Sequence, residues 1–222
     1  MSQAPRRAMV VHGRWKGHAP ARIMGLFIAF LQEHGYVVAV SNDLDVYTHA
    51  TLMARTDLIV QCWTTDPPGD DQIAGLRGAV EAGVGFVGWH GGGVESFPGS
   101  PAYLQLTGAR FIAHPGGLHP HSIHLVPASR DHEIVRDLPP EIKVEDRQYW
   151  VLSDPYNEVL ATTTIPARAG DAWSDPITVP AIWTRRWGAG RVFACSPGHH
   201  VPTLEIPEIR TIVERGMLWA SR

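Results

Sequence analysis

VGFVGWHGGG, residues 84–93, decides the fold. Its apolar and small residues run without a polar break into Trp89, His90 and three glycines. A strand apolar on both sides belongs in a sheet that is covered on both faces. Glycines directly after it permit a tight reversal that projects one side chain over the strand end. Toward the N-terminus, residues 70–82 carry Ile73, Leu76 and Val80 at helical spacing, and Gly83 stops that helix. Residues 57–62 (DLIVQC), 36–40 (YVVAV) and 8–12 (AMVVH) are further apolar strands. Residues 19–34 are a helix, with Ile23, Leu26, Phe27, Phe30 and Leu31 on one side. Strands alternating with helices in this way predict an α/β fold: a doubly wound, mostly parallel sheet flanked by helices.

Toward the C-terminus the character changes. Residues 91–120 are crowded with Gly, Pro and His, with one short helix expected at 101–107. Strand-like runs follow at 122–126, 142–150, 158–164, 179–187 and 190–195. Residues 206–220 form a closing helix through Ile209, Ile212, Val213, Met217 and Leu218. With no internal repeat or linker, residues 1–222 are expected to form a single domain with an elaborated, β-rich second half.

Composition narrows the function. The 222 residues carry 19 Lys+Arg against 22 Asp+Glu, a net charge of −3, which gives no footprint for nucleic acid or an anionic membrane. No apolar stretch approaches the roughly 18 residues of a membrane span, and the N-terminal apolar run is too short for a signal peptide. A cytoplasmic location is expected. Cys62 and Cys195 sit in apolar segments without CxxC spacing, so both read as buried free thiols. Against these two cysteines stand 12 His and 8 Trp, which suit a small-molecule site better than a charge-driven binder. A homodimer fits the general preference of soluble enzymes for two-fold symmetry, although no interface can be named.

In an open parallel sheet, ligands bind beyond the carboxyl ends of the strands. The first strand is followed by Trp15 and His18, the third by Trp63, the fourth by His90, and the late strand RVFACS by His199 and His200. Imidazoles gathered at one rim can act as acid and base near neutral pH. They can also hold a divalent metal such as Zn or Mn, with His18, His90 and His199 as the candidate ligands. Trp15 and Trp63 are candidate sugar-stacking surfaces, whereas Trp183, Trp187 and Trp219 read as core. His119, His121, His124 and His132 read as solvated loop or strand residues.

The turn around His90 resembles a nucleophile elbow. Class I glutamine amidotransferases place Cys in a comparable turn and carry a His-X-Glu pair late in the chain. Here the elbow residue is His90, and neither His199 nor His200 has Glu two residues on. A thiol acyl-enzyme lacks its nucleophile and its supporting pair, so glutaminase chemistry is not expected.

GRWKGHAP, VGWHGG, PAYLQLTGARFIAHPGG, RQYW with DPYNEVLATTT, and VPAIWTRRWGAGRVFACSPGH through RGMLWA resemble the ThuA-like (trehalose-utilisation) family from about Met9 to Ala220. The resemblance implies a class I glutamine amidotransferase-like, flavodoxin-like sheet and a role in carbohydrate utilisation, often beside oxidoreductases that make 3-keto sugars. Some members are thought to bind a metal. Matched by position, the implied site holds Trp15, His18, Trp63, Trp89, His90, His114, Gln148, Tyr149 and His199. Two departures stand out. Arg147 occupies a position where many relatives have a carboxylate, and Pro98 one where relatives often have Arg. Glu145 and Asp146 come too early, and a one-residue shift along a strand reverses the face.

The expected function is therefore an enzyme acting on a sugar or 3-keto sugar, with His90, His18 and His199 as catalytic residues. Trp15, Trp63, Trp89, His114, Gln148 and Tyr149 would bind substrate. The chemistry would be isomerisation, elimination or glycosidic cleavage. The alternatives are a non-catalytic sugar-binding protein on the same scaffold and a metal-dependent hydrolase.

Overall fold

A computed structural model describes residues 5–13, 20–64 and 66–222. Five strands run parallel in the order β2 (Tyr36–Ser41), β1 (Arg6–His12), β3 (Leu58–Cys62), β4 (Gly85–Trp89), β11 (Gly190–Cys195). Their side chains alternate between two cores. Ala8, Val10, Leu58, Val60, Val87 and Phe193 face α1 (Pro20–Glu33) and α7 (Pro207–Ala220). Met9, Val11, Ile59, Phe86 and Val192 face α3 (Asp70–Glu81) and α5 (Pro101–Thr107). The doubly wound arrangement thus follows from strands that are apolar on both sides.

The β-rich second half continues the same sheet. Beyond β11 come β10 (Ile177–Trp187), β9 (Glu158–Ile165), β6 (Leu118–Leu125) and β7 (Glu141–Arg147), all antiparallel to their neighbours, giving nine strands among the described residues. The single run expected at 142–150 breaks in two. β7 ends at Arg147, and β8 (Trp150–Ser153) pairs instead with β5 (Ala109–Ala113) in a separate two-stranded sheet. Gln148 and Tyr149 form the corner between the two sheets. The sequence alone does not show this corner, because no Gly or Pro stands between Lys143 and Ser153 to mark it.

A 3-10 turn at Leu44–Thr48 and the short helices α2 (Ala50–Ala54), α4 (His90–Gly93) and α6 (Val201–Glu205) are too brief to show helical periodicity. Among the described residues, no helix is long and apolar enough to cross a membrane.

Candidate active site

The elbow forms where β4 meets α4. Trp89 is extended (φ −134°), and His90 then turns into the left-handed region (φ 43°). Backbone lies directly on backbone here: a Cβ on Gly93 would fall 2.4 Å from the Gly88 Cα. Gly88, Gly92 and Gly93 are therefore demanded by close approach. His90 is buried, and its Nδ1 lies 2.9 Å from the Ser196 carbonyl oxygen. A carbonyl only accepts, so Nδ1 donates, which leaves the lone pair of the neutral ring on Nε2. That Nε2 faces His199 Nδ1 at 3.1 Å. In the neutral pair His199 Nδ1–H must donate, so the basic lone pair of His199 lies on its Nε2.

The 196–200 turn that carries His199 is held by an unanticipated residue, Asp146. Its fully buried carboxylate accepts the Gly198 N–H at 2.6 Å and the His199 N–H at 3.2 Å through Oδ2, and the Arg147 N–H at 2.7 Å through Oδ1. The one-residue offset sets Asp146 on the strand face opposite residue 147, and the structure turns that face inward. In the structure that inward face is what lets it brace the turn from beneath. Gly198 (φ 131°) packs on Trp89, where a Cβ would come within 2.9 Å of the indole. Burial and the Arg147 guanidinium lower the His199 pKa below 6.5, and Asp146 only partly opposes them.

Tyr149 completes the cluster. Its ring centroid lies 4.2 Å from that of His90 and 4.5 Å from that of Phe111, and its hydroxyl donates to Glu95 Oε2 at 2.7 Å. Burial and the neighbouring Glu95 push its pKa well up, so the phenol stays protonated. On the open side, Arg147 Nη1 lies 3.4 Å from His114 Nε2. Arg147, His114 and His199 are each half-buried.

Of the expected site residues, the structure thus brings together His90, His199, Tyr149 and His114. Gln148 adjoins them, but it is buried and fully engaged: it donates to Thr163 Oγ1 and to the Thr164 carbonyl, and its Oε1 meets His119 Nε2 at 3.2 Å. Trp89 is buried against Phe27, and Trp63 is buried in the opposite core with its Nε1–H donating to the Asp66 carbonyl. Both serve packing in this structure and present no open face for a sugar. Trp15 and His18 lie outside the described residues. His119 is a partner of Gln148 and not simply solvated, and burial lowers the pKa of its neighbour His121. Glu95 and Asp146 were missed because nothing local in the sequence marks either as a partner of residues about 50 positions away.

Among the described residues, no group of three His, Cys, Asp or Glu side chains is arranged to hold a metal ion. A catalytic zinc takes three protein ligands. The pair His90 and His199 would therefore need a third ligand from outside the described residues, where the expected ligand His18 lies. Both cysteines are buried free thiols, and burial pushes Cys62 up to about 12. A separate cleft of about 620 Å³, between the starts of α3 and α5, is lined by Phe97, Pro98 and Arg77 and by none of the candidate histidines.

The fold has solved counterparts. A ThuA-like protein from Bacteroides uniformis ATCC 8492 superposes with a TM-score of 0.76 at 16% identity, covering 98% of this chain and 92% of its own. One from Parabacteroides merdae ATCC 43184 gives 0.72 at 16% identity, covering 97% and 90%. A cytoplasmic protein from Salmonella typhimurium LT2 gives 0.63 at 14% identity, covering 97% and 100%. At these identities the likeness establishes the fold alone. No curated protein matches the sequence. The family model described as trehalose utilisation (ThuA) matches residues 7–220, nearly the whole sequence. The chain therefore belongs to the ThuA trehalose-utilisation family.

Proposed function

We propose that this chain is a cytoplasmic enzyme of carbohydrate metabolism that moves a proton at a carbon beside the carbonyl of a keto sugar. The observation that carries this reading is the His90–His199 pair, joined at 3.1 Å with its tautomers set by the Ser196 carbonyl. His199 Nε2 takes the proton. The resulting imidazolium is relieved through Nδ1–H toward His90 Nε2, and His90 is anchored in turn by its Nδ1–H bond to Ser196. A base whose pKa is held below that of a free imidazole is largely unprotonated at neutral pH, as proton abstraction requires. Tyr149, tied to Glu95, packs against His90 with the rings tilted by 34° and limits its rotation. Isomerisation, elimination and cleavage of a 3-keto glycoside all begin with this proton transfer. No step draws on a metal.

The test is exchange of the carbon-bound hydrogen of a 3-keto glycoside in D2O, followed by NMR. His199→Asn and His90→Asn should each slow exchange by about 10²–10⁴-fold, the usual worth of a positioned acid or base, with the circular dichroism unchanged. Asn is chosen at 90 because it tolerates positive φ. Wild-type rates in both variants would refute the reading. Binding of the sugar by wild type without exchange would replace it with a non-catalytic sugar-binding role.

A further inference from the structure

Arg147 brings a fixed positive charge to the open side of the cluster, and among the described residues no carboxylate oxygen lies within 4 Å of its guanidinium. Its contact there is His114 Nε2 at 3.4 Å. A guanidinium only donates, so His114 accepts and helps aim the fork. The two nearby carboxylates are already committed. Asp146 takes three backbone N–H groups from below, and Glu95 takes the Tyr149 hydroxyl. A second guanidinium, Arg168, packs against Gly116 in the same turn that carries His114, and it too has no carboxylate within 4 Å among the described residues. A half-buried planar fork without a counter-ion, beside a base, is the arrangement that recognises an oxyanion in two-point fashion.

We propose that the substrate of this site is an anionic carbohydrate, whose carboxylate or phosphate group docks on Arg147 with Arg168 flanking. The inference rests on the reading of the site as a carbohydrate site and names the class of sugar. With the oxyanion held on Arg147, a carbon of the same sugar is presented to His199. The charge also biases selection: a neutral sugar would leave the guanidinium without its counter-ion.

Titration calorimetry on the full chain at low salt tests this with three sugars, glucuronate, glucose 6-phosphate and glucose, and with sulfate and acetate as sugar-free anions. At least one anionic sugar should bind about tenfold or more tightly than glucose, the worth of a charge-assisted pair. The favoured anion tells carboxylate from phosphate. Arg147→Gln should erase the preference, read as the ratio of anionic-sugar to glucose affinity within the same variant. Arg147→Lys, which keeps the charge and loses the fork, should retain part of it. Equal binding of all three sugars, or a preference that survives Arg147→Gln, would overturn the anion site while leaving the carbohydrate reading intact. If no sugar binds but sulfate or acetate does, and only with Arg147 present, the anion site stands and the carbohydrate reading falls. If nothing binds, both fall.

Discussion

Replacing Asp146 with Asn tests whether the site is built from beneath. Both carboxylate oxygens are used: Oδ2 takes the Gly198 N–H, Oδ1 takes the Arg147 N–H, and the His199 N–H is shared between them at 3.2 and 3.3 Å. An amide has one oxygen, so in either orientation its NH2 faces backbone donors in a site with no solvent exposure. A stranded buried donor costs about 1–3 kcal/mol, and the surviving bonds lose their charge assistance, for a total of about 3 kcal/mol. For a chain of this size each kcal/mol shifts Tm by about 2–4 °C, so Asp146→Asn should melt about 6–12 °C below wild type in a calorimetric or circular-dichroism scan. Glu145→Gln is the control: the preceding side chain is exposed, and such surface changes stay within about 0.5 kcal/mol. Asp146→Asn should also impair catalysis beyond its effect on stability, because the His199 turn loses its brace. Melting at the wild-type temperature, or an equal loss in Glu145→Gln, would refute the reasoning.

Gly93→Ala should destabilise by about 1–3 kcal/mol in denaturant titration, because its Cβ meets the Gly88 backbone at 2.4 Å. Gly78→Ala, in α3 with nothing within 4 Å, should instead stabilise by up to about 1 kcal/mol, and a matching sign in the two variants would refute the close-approach argument. The pH profile of kcat/KM follows from His199. Its pKa is lowered, so the neutral base persists below pH 6.5 and activity falls only as more acidic pH protonates it. Arg147→Gln removes one cause of the lowering and should move the acid limb upward, and an unmoved limb would show that Arg147 does not act on His199.

The chain by itself determined the layered architecture. Residues 84–89 and 58–62 are apolar on both faces, and a strand with two apolar faces has to be covered twice. The elbow was legible for a similar reason, since a run of glycines after a buried strand reports a local backbone demand that any tertiary context would have to meet. Burial patterns are local, and they survive translation into one dimension. The partnerships of the site do not. His90 and His199 are 109 residues apart, and Asp146 and His199 are 53 apart. They meet only because β11 adds beside β4 and β7 ends at the far side of the same sheet extension. No Gly or Pro marks the chain near Gln148 and Tyr149, yet it turns a corner there. Tyr149 is thereby carried onto His90, and Gln148 is tied into the antiparallel strands. Asp146 shows the difference most plainly. Strand alternation placed it only on the face opposite residue 147. Tertiary packing decided what lies inside: three backbone N–H groups, two of them from the turn that carries His199. Periodicity says which way a side chain points, but only strand order and crossover geometry decide what it meets.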